Sequence, residues 1–142
     1  VNKQTARSKA PARKASAPTD ERHEQGAAAS FPIVGIGASA GGLEAFTQLL
    51  GALPPDIGMG FVLVQHLDPA HESALVQLLA RATSLPIGEI RNGQRVQPNR
   101  VHVIPRDKNL TIAAGVLKLE PRQRTRKPHR PIDVFFESLA HD

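Results

Sequence analysis

Residues 31–46 read FPIVGIGASAGGLEAF, and this stretch decides the fold. An apolar run from Phe31 ends in glycines. Directly after it, LEAFTQLLGAL places Leu43, Phe46, Leu49 and Leu50 at the spacing of one helix face. A second apolar run, GMGFVLVQHL at 58–67, follows after the punctuation of Pro54, Pro55, Asp56 and Gly58. Strand, helix, strand is the repeating unit of a parallel sheet, so the expected fold class is α/β, doubly wound and mostly parallel.

Working outward, a second helix is expected from about Pro69 to Thr83. Leu75, Leu78, Leu79 and Ala82 would form its apolar stripe, and Asp68 can cap its first turn. LPIGEI and RVHVIP read as short strands separated by a turn at Asn92-Gly93. NLTIAAGVLKLEP reads as a hairpin insertion, with strands at Leu110–Ala113 and Val116–Leu119 and a turn at Ala114-Gly115. RQRTRKPHRP is a basic loop, and Asp133 can cap a last helix, VFFESLAH. An α/β chain that stops on a helix, without the strand that should follow, has the look of part of a larger domain.

Within the opening stretch, GIGASAGG at 35–42 fits two chemical templates. Gly35, Gly37 and Ala40 satisfy the dinucleotide-binding G-x-G-x-x-G/A, while Gly37, Ser39 and Gly41 satisfy G-x-S-x-G, the turn that exposes a nucleophilic serine. A dinucleotide site needs an acid at the end of the second strand to hold the ribose hydroxyls. Gln65 and His66 stand there instead, and Asp68 falls two residues late. The serine template gains from the same place. In a βαβ unit both strands point their C-terminal ends to one sheet edge, so Ser39 and His66 would meet at one cleft if the strands are neighbours. Ser39 would then be a nucleophile, with His66 as general base and acid and the N–H groups around Gly37, Ala40 and Gly41 facing a developing oxyanion. The residues alone leave two plainer assignments open: Ser39 as a helix cap and His66 as a satisfied histidine at a strand end. Phosphate held on the glycine loop is a further possibility. A metal site from His66, Asp68, His71 and Glu72 is weaker, because Pro69 separates their directions.

Composition narrows the classes. The chain has 142 residues, enough for one modest domain, and no cysteine, which removes disulfides, thiolate metal sites and cysteine nucleophiles. No apolar run approaches the ~18–20 residues of a membrane span, so a cytoplasmic protein without membrane insertion is expected. Residues 1–30 carry six Lys/Arg against three acids and read as a disordered basic tail; residues 31–142 carry twelve against ten. With no Trp or Tyr and five Phe, there is little surface for stacking bases, so nucleic acid is not the expected partner.

Taken in order, VGIGASAGGLEAF, FVLVQHLDP, VHVIPRDKNLTI and RPIDVFFESLA resemble the catalytic domain of the chemotaxis methylesterase (CheB-type) family from about Phe31 to Asp142. GASAGG and QHLDPAH look most like the version fused to a methyltransferase. The resemblance implies a cytoplasmic serine hydrolase of signal transduction that removes methyl esters from glutamates on the cytoplasmic helices of methylated chemoreceptors, with related members also deamidating glutamines. It implies no cofactor and no metal. The family's nucleophile falls on Ser39 and its base on His66, and Ala40 stands where many members have threonine. The family's third catalytic group is an aspartate in a GxGxDG segment. None of Asp68, Asp107, Asp133 or Asp142 matches it, so residues 31–142 are expected to be the N-terminal part of such a domain, with the acid and an edge-covering strand beyond them. No receiver domain is recognisable in residues 1–30.

Overall fold

A computed structural model describes residues 31–65, 74–122 and 130–142. The tail at 1–30, Asp68, His71, Glu72 and most of the basic loop lie outside the described residues, as does His66. The chain runs β1 (Ile33–Ala38), a single 3-10 turn (Ala40–Gly42), α1 (Leu43–Gly51), β2 (Gly60–Gln65), α2 (Leu75–Ala80), β3 (Ile87–Glu89), β4 (Gln94–Arg95), β5 (Arg100–Val103), β6 (Lys108–Ala113), β7 (Val116–Pro121) and α3 (Pro131–Leu139).

Four strands form a parallel sheet in the order β1-β2-β5-β3, and three form an antiparallel sheet in the order β4-β7-β6. All six residues of β2, GFVLVQ, are buried, as a central strand covered on both faces must be. Alternation divides its side chains. Phe61 and Leu63 pack with Phe46 and Leu50 of α1, Leu75 and Leu79 of α2, and Val101 and Val103 of β5. Val62 and Val64 pack on the other face with Leu110, Ile112, Leu117 and Phe135, which belong to β6, β7 and α3. The sheet is thus sandwiched between the α1/α2 layer and a layer made of α3 and the hairpin.

The hairpin turn falls at Ala114-Gly115, with φ +50° and +69°, the two positive values of a twist-matched two-residue connection. Its strands extend past the expected limits because tertiary pairing runs to Lys108↔Pro121. Gly93 turns with φ +78°, and just after it Gln94–Arg95 pairs with β7, a two-residue strand that its own sequence does not announce.

Several helix expectations need correction. α2 ends at Ala80 rather than Thr83, and Leu78 is exposed instead of lining the stripe. Leu75 and Leu79, four apart, already fill the face that meets the sheet. On α1, Leu49 points outward because Phe46 and Leu50 define the buried line and Leu49 lies about 100° off Leu50. α3 begins at Pro131, whose fixed φ suits a first turn, and Asp133 is not its cap. The Asp133 carboxylate sits inside the first turn and accepts from Arg130 Nε.

Candidate functional site

β1 and β2 are parallel neighbours, and their register closes with Ala38 opposite Gln65. Ser39 and His66 are the next residues in each chain segment. The sheet therefore brings the described end of β2 beside the end of β1, as the sequence requires of a Ser–His pair; His66 itself lies outside the described residues.

Ser39 is exposed at the strand-to-helix junction, with φ −77° and ψ −177°, an ordinary extended conformation. Its side chain makes no capping hydrogen bond. The cap assignment accordingly lacks the one contact that defines it, and Ser39 stands exposed just past the C-terminal end of β1. The Ser39 carbonyl, by contrast, is held twice. Gly42 N–H donates to it at 2.9 Å, closing the 3-10 turn, and Gln65 Nε2 donates to it at 3.1 Å from the neighbouring strand.

In GIGASAGG, Gly35, Gly37 and Gly42 are needed for the room they leave rather than for a special backbone conformation. None of the four glycines in this stretch has a positive φ. A Cβ on Gly35 would stand 2.9 Å from Leu139 and Phe135, and one on Gly37 would stand 2.7 Å from Ile132 and 3.1 Å from Phe136. These two glycines are the bare strip of β1 on which α3 lies. A Cβ on Gly42 would fall 2.2 Å from that of Ala38, so the first turn of α1 can fold back onto β1 only without a side chain there. Gly41 faces open space. Ala40 and Gly41 open the 3-10 turn directly after Ser39.

The described aspartates are engaged or placed away from Ser39. Asp107 pairs with Arg122 at the base of the hairpin, Asp133 with Arg130, and the Asp142 carboxylate accepts from Gly115 N–H at the hairpin turn. Asp56 precedes β2 and so lies toward the opposite edge of the sheet.

A second polar feature lies far from Ser39. A surface cavity of about 740 Å³ opens beside β3 and is lined by Glu89, Arg91, Gln94, Gln97 and Arg100 among others. β3 is the sheet edge opposite to β1. Beneath it His102 is almost wholly buried; its Nε2 accepts from Gln97 N–H and its Nδ1 meets the Gln94 amide, both at 3.2 Å. Burial, and then the charge of Arg100, push the imidazole down to about 4, so it is neutral at physiological pH. Nothing in RVHVIP distinguished this histidine from its apolar neighbours except its place in an alternating strand. Among the described residues there is no cluster of three or more metal-ligating side chains, and no helix is long and apolar enough to cross a membrane.

The fold and this junction define a doubly wound α/β domain that presents a serine at the C-terminal end of its first strand. Residues 34–142 match the CheB methylesterase family, and the chain belongs to it. It is 40% identical over 111 residues to a protein-glutamate methylesterase/protein-glutamine glutaminase of Burkholderia lata, a match covering 77% of this chain and 33% of that one. A Pseudomonas aeruginosa protein of the same description is 35% identical over 143 residues, covering 97% of this chain and 40% of its own length. The crystal structure of the Thermotoga maritima CheB methylesterase catalytic domain superposes with a TM-score of 0.66 at 27% identity, covering 79% of this chain and 61% of that one. The chain thus spans about a third of the length of the curated relatives it matches.

Proposed function

We propose that residues 31–142 are the N-terminal part of a protein-glutamate methylesterase domain, and that Ser39 is its nucleophile and His66 its general base. The observation that carries this is the exposed Ser39 hydroxyl, uncommitted to capping, one residue past a register pair that ends at Gln65. Support comes equally from the names of the relatives, protein-glutamate methylesterase and protein-glutamine glutaminase.

In the reaction, Ser39 Oγ attacks the carbonyl carbon of a glutamate γ-methyl ester while His66 takes the hydroxyl proton. The tetrahedral oxyanion forms beside the Ala40 and Gly41 amides at the start of the 3-10 turn, where unpaired N–H groups favour negative charge. Collapse breaks the bond to the methoxy oxygen, and methanol leaves with the proton from the imidazolium. Water, deprotonated by His66, then hydrolyses the acyl-serine to free glutamate and restores Ser39. Glutamine follows the same route with ammonia as the leaving group. An aspartate of the family's GxGxDG type, not among the described aspartates, would orient His66. Methylated receptor helices are the substrate class, in cytoplasmic adaptation, with a methyltransferase domain in the longer protein; residues 1–30 serve as a tail.

Methanol release from a peptide bearing a glutamate γ-methyl ester tests this. Release should vanish in Ser39→Ala and fall by orders of magnitude in His66→Ala. Equal release by the wild type and both variants would show that the hydrolysis is not the work of this pair.

A further inference from the structure

The parallel ladder between β1 and β2 ends at Ala38 and Gln65, and one side-chain bond carries it a residue further. That bond is the donation from Gln65 Nε2 to the Ser39 carbonyl at 3.1 Å. Since Gly42 N–H also donates there at 2.9 Å, both lone pairs of this oxygen are engaged, one from the turn and one from the adjacent strand. Gln65 is only 6% exposed, and its Oε1 is buried without a partner among the described residues. An unpartnered buried acceptor costs about 1–3 kcal/mol, so for stability alone an apolar side chain would serve β2 better, as it does at the four preceding positions, Phe61 to Val64.

We propose that Gln65 is a positioning residue for the nucleophile turn: its amide fixes the plane of the Ser39–Ala40 peptide and thereby aims the Ala40 N–H. The peptide unit is planar and trans, so its C=O and N–H point in opposite directions, and holding the Ser39 oxygen from two sides determines where the Ala40 N–H points. The N–H that follows a nucleophilic serine is a common donor to the oxyanion, and its contribution depends on being aimed before charge develops. The Gln65 amide has no rival orientation here, because turning it over would set its oxygen against the Ser39 oxygen. The catalytic consequence rests on Ser39 being the nucleophile; the pinning of the turn does not.

Two variants of the 142-residue chain, Gln65→Met and Gln65→Glu, separate the possibilities through two readouts: the rate of Ser39 labelling by a fluorophosphonate, and hydrogen exchange at the Gly42 amide. Gln65→Met keeps length and removes the donor. It should stay folded, label about tenfold more slowly and exchange Gly42 about tenfold faster, the effect of losing one hydrogen bond. Gln65→Glu should behave similarly near neutral pH. As pH falls and the carboxyl gains an O–H to donate, its labelling rate relative to the wild type at the same pH should recover. A merely space-filling role gives no such recovery. Unchanged Gly42 exchange in both variants would overturn the proposal whatever the labelling shows, and labelling at the wild-type rate in both would overturn its catalytic part. Should the wild type not label at Ser39 at all while Gly42 exchange still accelerates, the nucleophile assignment fails and the pinning stands. Should Gln65→Met not fold, the pH-dependent recovery of Gln65→Glu decides.

Discussion

Two glycine-bearing turns in this chain use glycine for opposite reasons. At Gly115 of the hairpin turn the backbone itself favours it, since a φ of +69° strains a side chain. At 35–42 no φ is positive, and the glycines are demanded by space, since α3 lies on Gly35 and Gly37 and the first turn of α1 folds onto Ala38 at Gly42. The hairpin turn therefore obeys a rule of backbone conformation, whereas the turn at 35–42 obeys a rule of packing space. Ser39 sits in an ordinary extended conformation on top of that close packing, so its exposure comes from where the strand ends rather than from stored backbone strain.

The sharpest way to break this contrast is at Gly42. Gly42→Ala places a methyl 2.2 Å from Ala38 Cβ, which cannot swing away, and should lower stability by about 3 kcal/mol. Chemical denaturation measures it, and a loss below about 1 kcal/mol would show that the turn has slack.

A comparable effect is expected from acid, but on the hairpin side. His102 titrates near 4 in the folded chain and near 6.5 when unfolded. Between these values the unfolded chain binds the proton first. The stabilising contribution is thus complete above pH 6.5 and is lost as pH falls toward about 4, by up to about 3 kcal/mol. His102→Gln should flatten the stability profile across that window. Hydrogen exchange should accelerate around β4 and β7 before the β1–β2 pair responds, because His102 meets Gln94 of β4.

Smaller effects follow at the turns themselves. Gly115→Ala should cost about 1 kcal/mol from its φ of +69°, and Ala114→Asn should add about 0.5 kcal/mol, since asparagine tolerates the positive φ that alanine resists. Gly41→Ala, with open space and no positive φ, should change thermal stability by less than about 0.5 kcal/mol. Were Gly41→Ala as damaging as Gly42→Ala, space would not be what distinguishes them.

How much of this was legible in the sequence depends on the range of the deciding contacts. The βαβ unit and the hairpin were, because their periodicities and turn residues are local. β4 was not, since two residues become a strand only by pairing with β7. Leu49 and Leu78 read as core because an apolar stripe does not say how wide the buried face is. Ser39 was legible as a motif and as a strand-end residue. The reason for Gly35 and Gly37 was not, because the side chains that need the room arrive from Ile132 to Leu139, about a hundred residues later in the chain. Gln65 entered as the residue that is not a ribose-binding acid. Its bond to the Ser39 carbonyl exists only once the two strands are paired.

The central claim is that the Ser39 hydroxyl is free for chemistry and carries no part of the fold. Mapping the fluorophosphonate adduct by mass spectrometry, alongside the denaturation curve of Ser39→Ala, tests it directly. A single adduct at Ser39, absent in the variant, with stability unchanged within about 0.5 kcal/mol, is the predicted result. A folded wild type that takes no adduct at Ser39, or a variant that loses more than about 1 kcal/mol as a missing cap would, contradicts it.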